Sequence, residues 1–437
     1  MNKKLLAVAV AGALGAPVVA FAQSSVTLYG SIDVAWVSKV NKTGAGGTAS
    51  SVQGIGEGWQ AGNRIGFRGS EDLGGGMTAL FNIENGINIT NGALFSTRAA
   101  AAGQQYDGVA ATGTAGNMPT AAYSTATNRQ SYVGLKGGWG ELLGGYQYTT
   151  LYRISTLSGY FVGSEQPGGD IMHTIDNANF GGTRANGFVY NSPMFADGFQ
   201  ITLQKGAGSG REAANFNGAQ SDGRYQNNAR RWSIMPTYNK GPLSVALGYT
   251  SFKAQSNGLV PGACNQTVLG VCAAAASTAT GLPGSNLRSH AWQLAGSYTM
   301  GAWKFMGEYI NGKKNDDGTA TVAAAAAGVN PAVAVGNRVG ADVKSKGYEL
   351  GVEFTAGAWR PFVMLSRSTQ DSSGSILVSA QGRTGNYKEY QFGVRYDLSK
   401  RALLYVMTGQ SKDDSTTGAG TGLRKRDGTA AGMYFSF

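Results

Sequence analysis

The chain has 437 residues, among them 68 glycines, 20 tyrosines, 17 phenylalanines and 7 tryptophans, and only 14% of it is charged, against roughly 25% in soluble domains. Its formal net charge is +11, but the lysines and arginines fall one or two to a segment with no basic helix or stripe. That spread argues against a nucleic-acid partner and for a mild positive field in a water-filled interior.

Residues 1–22 read as a secretory signal. Lys3 and Lys4 are followed by a short apolar stretch over 5–16, and Ala20-Phe21-Ala22 supplies a small-x-small cleavage site. The apolar stretch is too short for a membrane helix, which needs about 20 residues. No composition break divides the rest, so 23–437 is expected to be one domain.

Residues 26–36 alternate cleanly: Val26, Leu28, Ile32, Val34 and Trp36 fall on one face, and Thr27, Tyr29, Ser31, Asp33 and Ala35 on the other. Residues 63–69 and 77–84 form the next pair around a turn at 70–76. Placing Ile65 and Phe67 toward lipid puts Arg64 and Arg68 on the opposite face, because successive side chains point oppositely. The same hairpin pattern recurs at 130–136 with 141–148, 187–192 with 199–205, and 230–238 with 243–253. It continues at 289–299 with 303–313, 346–355 with 359–370 and 387–397 with 402–412, and 426–437 closes the set.

One opening strand, seven hairpins and one closing strand make sixteen. Each is near the ~10 residues that a tilted transmembrane strand requires. Strands with one lipid face and one wet face can exist in a bilayer only as a closed wall, so an all-β, 16-stranded antiparallel transmembrane β-barrel is expected. The longer stretches 41–62, 85–129, 149–186, 206–229, 254–288 and 314–345 alternate with the tight turns. This predicts short periplasmic turns and long external loops.

Sixteen strands leave an aqueous bore. The third long connection, 149–186, carries Leu157-Ser158-Gly159-Tyr160-Phe161-Val162-Gly163 and then Glu165, Asp170, His173 and Asp176. It is expected to fold inward and set those acids against a wall that bears Arg64 and Arg68, giving a transverse field across a constriction. The competing reading leaves the acids on an exposed loop and the arginines solvating the wall. Parity also turns Asp33, Glu84, Glu308, Glu349, Glu353, Glu389, Arg231, Arg395 and Arg426 inward. Trp36, Trp139, Trp232, Trp292, Trp303 and Trp359 near strand ends suit an interfacial girdle.

Cys264 and Cys272 share a long connection, where a bridge formed in an oxidising periplasm and two unpaired thiols both stay open. No metal or cofactor site is expected. The two histidines, His173 and His290, are not placed by register beside a nucleophile, so no enzyme is expected either.

Ser25-Val26-Thr27-Leu28-Tyr29-Gly30-Ser31-Ile32-Asp33, the run from Asn63-Arg64-Ile65-Gly66-Phe67-Arg68-Gly69 to Gly76, Gln130-Ser131-Tyr132-Val133-Gly134-Leu135 and the terminal Tyr434-Phe435-Ser436-Phe437 resemble, in order, the Gram-negative general porins of β-proteobacteria. The resemblance implies an outer-membrane homotrimer surrounded by lipid and lipopolysaccharide, with an inward third loop and passive diffusion of small hydrophilic solutes and ions. It implies that Phe437 is read by the barrel-assembly machinery. It also places Arg64 and Arg68 in an arginine ladder. Where relatives carry Arg-Gln this chain has Tyr146-Gln147, one positive charge fewer, while the net charge tilts toward a weak anion preference. A surface adhesin or structural barrel with a restricted lumen is the alternative.

Overall fold

Sixteen antiparallel staves close on themselves in the computed structural model, which describes residues 25–43, 50–90, 93–94, 129–158, 184–206, 230–255, 286–316, 341–373, 383–414, 416–417, 420–421 and 424–437. The leader 1–22, the acids Glu165, Asp170 and Asp176, His173, and Cys264 and Cys272 lie outside the described residues.

In chain order the strands are β1 Ser25–Thr43, β2 Ser50–Glu57, β3 Arg64–Gly74, β4 Met77–Asn88, the two-residue β5 Ala93–Leu94, β6 Gln130–Gly137, β7 Gly140–Tyr148, β8 Arg184–Asn191, β9 Phe199–Gly206 and β10 Arg230–Lys240. Then come β11 Leu243–Gln255, β12 Asn286–Met300, β13 Trp303–Asp316, β14 Ala341–Phe354, β15 Trp359–Ser373, β16 Arg383–Asp397, β17 Ala402–Asp413, the short β18 Thr416–Thr417 and β19 Gly420–Thr421, and β20 Arg424–Ser436. Helix α1, Thr150–Ser155, and a single 3-10 turn, Thr156–Ser158, follow β7.

The expected strands are all present, and several run further toward the long connections. Within the stretch 41–62, expected as a loop, residues 41–43 and 50–57 are instead wall. β2 pairs with the upper half of β1, from Val34↔Glu57 to Asn41↔Ser50, while β3 pairs with its lower half, from Ser25↔Ser70 to Ser31↔Arg64. β2 and β3 are therefore one stave, interrupted at residues 58–63. On its other edge β1 pairs with β20, which closes the ring, and the backbones of Gly30 and Phe437 donate to each other's carbonyls at 3.1 Å each way.

Side-chain alternation does the sorting. Val26, Leu28, Trp36, Phe67, Val133, Phe188, Leu247, Leu294, Leu350, Leu365 and Phe392 stand exposed on the outer face. Ser31, Asp33, Asn82, Glu84, Thr250, Gln293, Glu308, Glu349 and Gln391 are buried on the inner one. Such a surface is stable only where its outer atoms meet acyl chains. Aromatic pairs mark two levels: Trp303 with Phe354 and Trp359 with Tyr396 near the short turns, each at 4.6 Å, and Trp232 with Tyr249 and Trp292 with Tyr309 toward the other rim, at 5.2 and 5.0 Å. These are the girdles expected of the tryptophans.

The inner face is less uniformly polar than alternation suggests. Ala35, Val37, Met306, Phe362, Met364, Leu403, Met407 and Ala430 form a buried apolar cluster with Trp59 and Tyr405 inside the wall. Something must cover that cluster from within, and residues 58–63 do so.

Candidate pore lining

Two pieces of chain leave the wall and pack against its inner surface. The first is α1, the start of the third long connection. Thr149 caps it, its hydroxyl accepting from the backbone N–H of Tyr152 at 3.3 Å, and the N–H of Thr150 is taken by Gln204 of β9 at 3.2 Å. Ile154 is wholly buried among Met235, Ala246 and Ala295, with Leu157 packed alongside, and Leu151 is buried against Ala291 and Ile310. A six-residue helix is far too short to hold its shape alone, so this apolar face is what secures it.

The wall is shaped to receive it. A Cβ built on Gly248 of β11 would lie 2.0 Å from Cδ1 of Ile154, so the glycine is the socket for that side chain. Polar bonds complete the dock: the hydroxyl of Ser155 donates to Glu308 at 2.9 Å and accepts from Gln293 at 2.8 Å, and Arg153 donates to Asn191 at 3.2 Å. Burial pushes the pKa of Arg153 below the ordinary arginine value, with Glu141 opposing the shift. The inward course expected of the third connection is thus seen over 149–158.

The second piece is residues 58–63, a strut between β2 and β3. Asp33 holds it: one carboxylate oxygen accepts from the N–H groups of Gln60 and Ala61 at 2.5 and 2.9 Å, and the other from the hydroxyl of Tyr405 at 2.6 Å. The side chain of Gln60 accepts from Arg395 at 2.9 Å, and Arg395 is ion-paired to Glu353 at 2.8 Å. Trp59, 1% exposed, lies beneath Lys39, whose ammonium sits 5.4 Å from the ring centroid. The strut therefore runs from the second stave across the inner face of β1, β20 and β17 to β16.

Charge is sorted around the bore. Arg64 donates to Ser31 at 3.0 Å, and the guanidinium of Arg68, four residues along the same face, stands 5.3 Å from the Tyr29 ring. Tyr29 donates to Asn82 and Glu84, at 2.8 and 3.1 Å, and Glu84 is ion-paired to Arg129 at 2.5 Å. Arg129 and Arg184 both donate to the hydroxyl of Tyr148, at 2.7 and 3.4 Å, and the Tyr148 ring stacks on Tyr152 of α1 at 4.5 Å. Burial works against the charge of Arg129, but Tyr148 and Glu84 outweigh it and hold its pKa above the ordinary arginine value. Four arginines on or beside the second, fourth and sixth staves thus gather around Tyr29, Glu84 and Tyr148.

On the eleventh, twelfth and fourteenth staves Glu308, Glu349 and Glu389 lie along one register line, broken only by Ser366. The basic and acidic sectors are about half a ring apart.

Among the residues singled out from sequence, Arg64, Arg68 and Glu84 face the lumen together. Asp33 faces inward as its parity requires but is wholly buried. Its oxygens are taken up by the strut, so it is an anchor rather than a charge presented to the bore. Sequence reasoning missed Arg129 and Arg184. Both sit at the mouths of long connections, one at the residue before an alternating segment and the other within the stretch 149–186. The available signal was a lone arginine at a strand mouth, close to an inward carboxylate.

The sequence profile of the family described as Gram-negative porin matches residues 6–416. Outer membrane porin protein 32 of Delftia acidovorans is 32% identical over 268 residues, 59% of this chain and 62% of that protein, so the match spans somewhat less than two thirds of its length. An outer membrane porin protein of Bordetella pertussis is 27% identical over 98% of this chain and 100% of its own. Among solved structures, the anion-selective porin from Comamonas acidovorans superposes with a TM-score of 0.61 at 22% identity, covering 95% of this chain and 100% of that one.

Proposed function

Since the chain belongs to the Gram-negative porin family, we propose that, once the leader 1–22 is cleaved, it forms a water-filled channel through the outer membrane for passive diffusion of small hydrophilic solutes and ions. The observation that carries this reading is the closed ring of sixteen antiparallel staves with apolar groups outside and charged groups inside. The short turns then face the periplasm and the long connections the exterior. A homotrimer accords with the family. Purified protein added to a planar bilayer is expected to insert with conductance steps in threes, and solute flux is expected to follow size more than identity. A bore closed to ions and to glucose-sized solutes would overturn the reading.

The bore is narrowed where α1 packs on the inner wall, beside the basic sector. Arg64, Arg68, Arg129 and Arg184, gathered on one side of the bore, favour anions, in keeping with the anion-selective porin whose fold this chain shares. Replacing Arg64, Arg68 and Arg129 together with glutamine is expected to lower the anion-to-cation permeability ratio roughly two- to fivefold, the effect of removing unit charges a few ångströms from a wet path. The reversal potential in a salt gradient measures it. An unchanged potential would remove these arginines from the constriction.

A further inference from the structure

A closed wall has no need of the strut. β1 pairs with β2 down to Val34 and with β3 from Ser31, so two of its residues, Ile32 and Asp33, stand opposite the six residues 58–63. Six less two leaves four beyond the ladder, against the single extra residue of an ordinary bulge. Pushed outward, they would strand backbone groups in hydrocarbon. They turn into the bore instead, starting at Gly58, whose φ of 75° suits a glycine.

Both ends of this excursion are fixed. The N–H of Gly58 donates to the carbonyl of Asp33 at 3.4 Å, while the Asn63 side chain accepts from the N–H of Asp33 at 2.5 Å and donates to Glu57 at 2.8 Å. The hydroxyl of Ser31 donates to the carbonyl of Gly62 at 3.3 Å. Gly58, Trp59 and Asn63 are buried against the wall, so the half-buried Gln60, Ala61 and Gly62 are the part that the bore meets.

The strut and α1 also belong to one belt. A Cβ built on Gly62 would lie 3.3 Å from Nη1 of Arg129. Arg129 in turn donates to Tyr148, whose ring stacks on Tyr152 of α1. α1 covers the eighth to eleventh staves, and the strut covers the first, sixteenth and fifteenth, with Gln60 bonded to Arg395 of the fourteenth. Contacts this short hold the two elements at a common depth, and a solute passes between them.

We propose that the strut is a second jaw of the constriction, across the bore from α1, and that Gln60, Ala61 and Gly62 set the limiting section of the path from that side. The proposal rests on the diffusion-channel reading.

Ala61→Cys tests it, because it puts a thiol on the bore-facing surface with little added bulk. A61C channels in a planar bilayer are treated with a methanethiosulfonate that carries a sulfonate and, separately, with one that carries a trimethylammonium group. Each forms a mixed disulfide with the thiolate and releases methanesulfinate. Either adduct is expected to lower single-channel conductance by at least about a fifth, because a group about 6 Å long enters a bore about 20 Å across that α1 already narrows. The sulfonate is expected to lower, and the ammonium to raise, the anion-to-cation permeability ratio by roughly twofold. Wild type, which carries Cys264 and Cys272, supplies the baseline under the same reagents. Ala302→Cys, at the turn between β12 and β13, is expected to label with no change in current. An A61C thiol that resists labelling in the folded channel, or one that labels fully with conductance and selectivity unchanged, would overturn the proposal. The two readings fail separately: conducting A61C indifferent to its adduct sinks only the jaw, whereas silent wild type sinks the channel.

Discussion

Replacing Gly248 with valine is expected to drive Ile154 from its socket and loosen α1 from the inner wall, raising single-channel conductance by up to about a third, because a helix about 10 Å wide fills about a quarter of the section of a bore about 20 Å across. The first atom of any side chain at this position would fall 2.0 Å from Ile154. The wall strand is bonded to β12 along its length and to β10 on either side of Gly248, so it resists retreat. The helix is the softer partner and is expected to move. Combining G248V with Ile154→Ala provides the check, because the valine then fills the space that the isoleucine leaves, and conductance is expected to return toward wild type. A G248V channel with wild-type conductance and an unchanged solute cut-off would show that this helix does not narrow the path.

Asp33→Ala is expected to destabilise the barrel by about 3–5 kcal/mol, since it strands several buried donors that each cost about 1–3 kcal/mol when left unpaired. The donors are the Gln60 and Ala61 amides and the Tyr405 hydroxyl. With its anchor gone the strut loses its fixed path, and gating noise is expected to appear in bilayer recordings of the surviving channels. Tyr405→Phe removes a single donor together with its need, so a loss of about 1 kcal/mol is expected there. The midpoint of barrel unfolding in denaturant measures both. An Asp33→Ala protein as stable as wild type would mean that the strut is held by Trp59 and Gln60 alone.

Period-two alternation made the strands legible, because a wall with lipid on one side and water on the other tolerates little else. That signal fails where the inner face is neither polar nor exposed. β2 was hidden because its inward positions include Gly54 and Gly56, and a Cβ on Gly56 would lie 2.9 Å from the methyls of Val37. A strand that must offer glycine to its neighbour shows no contrast between its faces. Met306, Phe362, Met364 and Met407 line the inside because Trp59 and its neighbours cover them, a contact between segments hundreds of residues apart in sequence. Asp33 shows the same limit: its direction followed from parity, but its burial depended on residues 58–63. Arg129 and Arg184 were invisible for a related reason. Their importance comes from Tyr148, where two separate connections meet over the first turn of α1.

The reciprocal bonds between Gly30 and Phe437 also impose a chronology. Every other partnership around the ring joins staves that follow one another in the chain, but this one joins the earliest-made stave to the latest. Until that final segment arrives, the first stave keeps one whole edge of amides and carbonyls open to any stray strand, and closing the gap across so great a contour length is intrinsically slow. That open edge is covered only when β20 meets β1, and with it the template for stray pairing disappears.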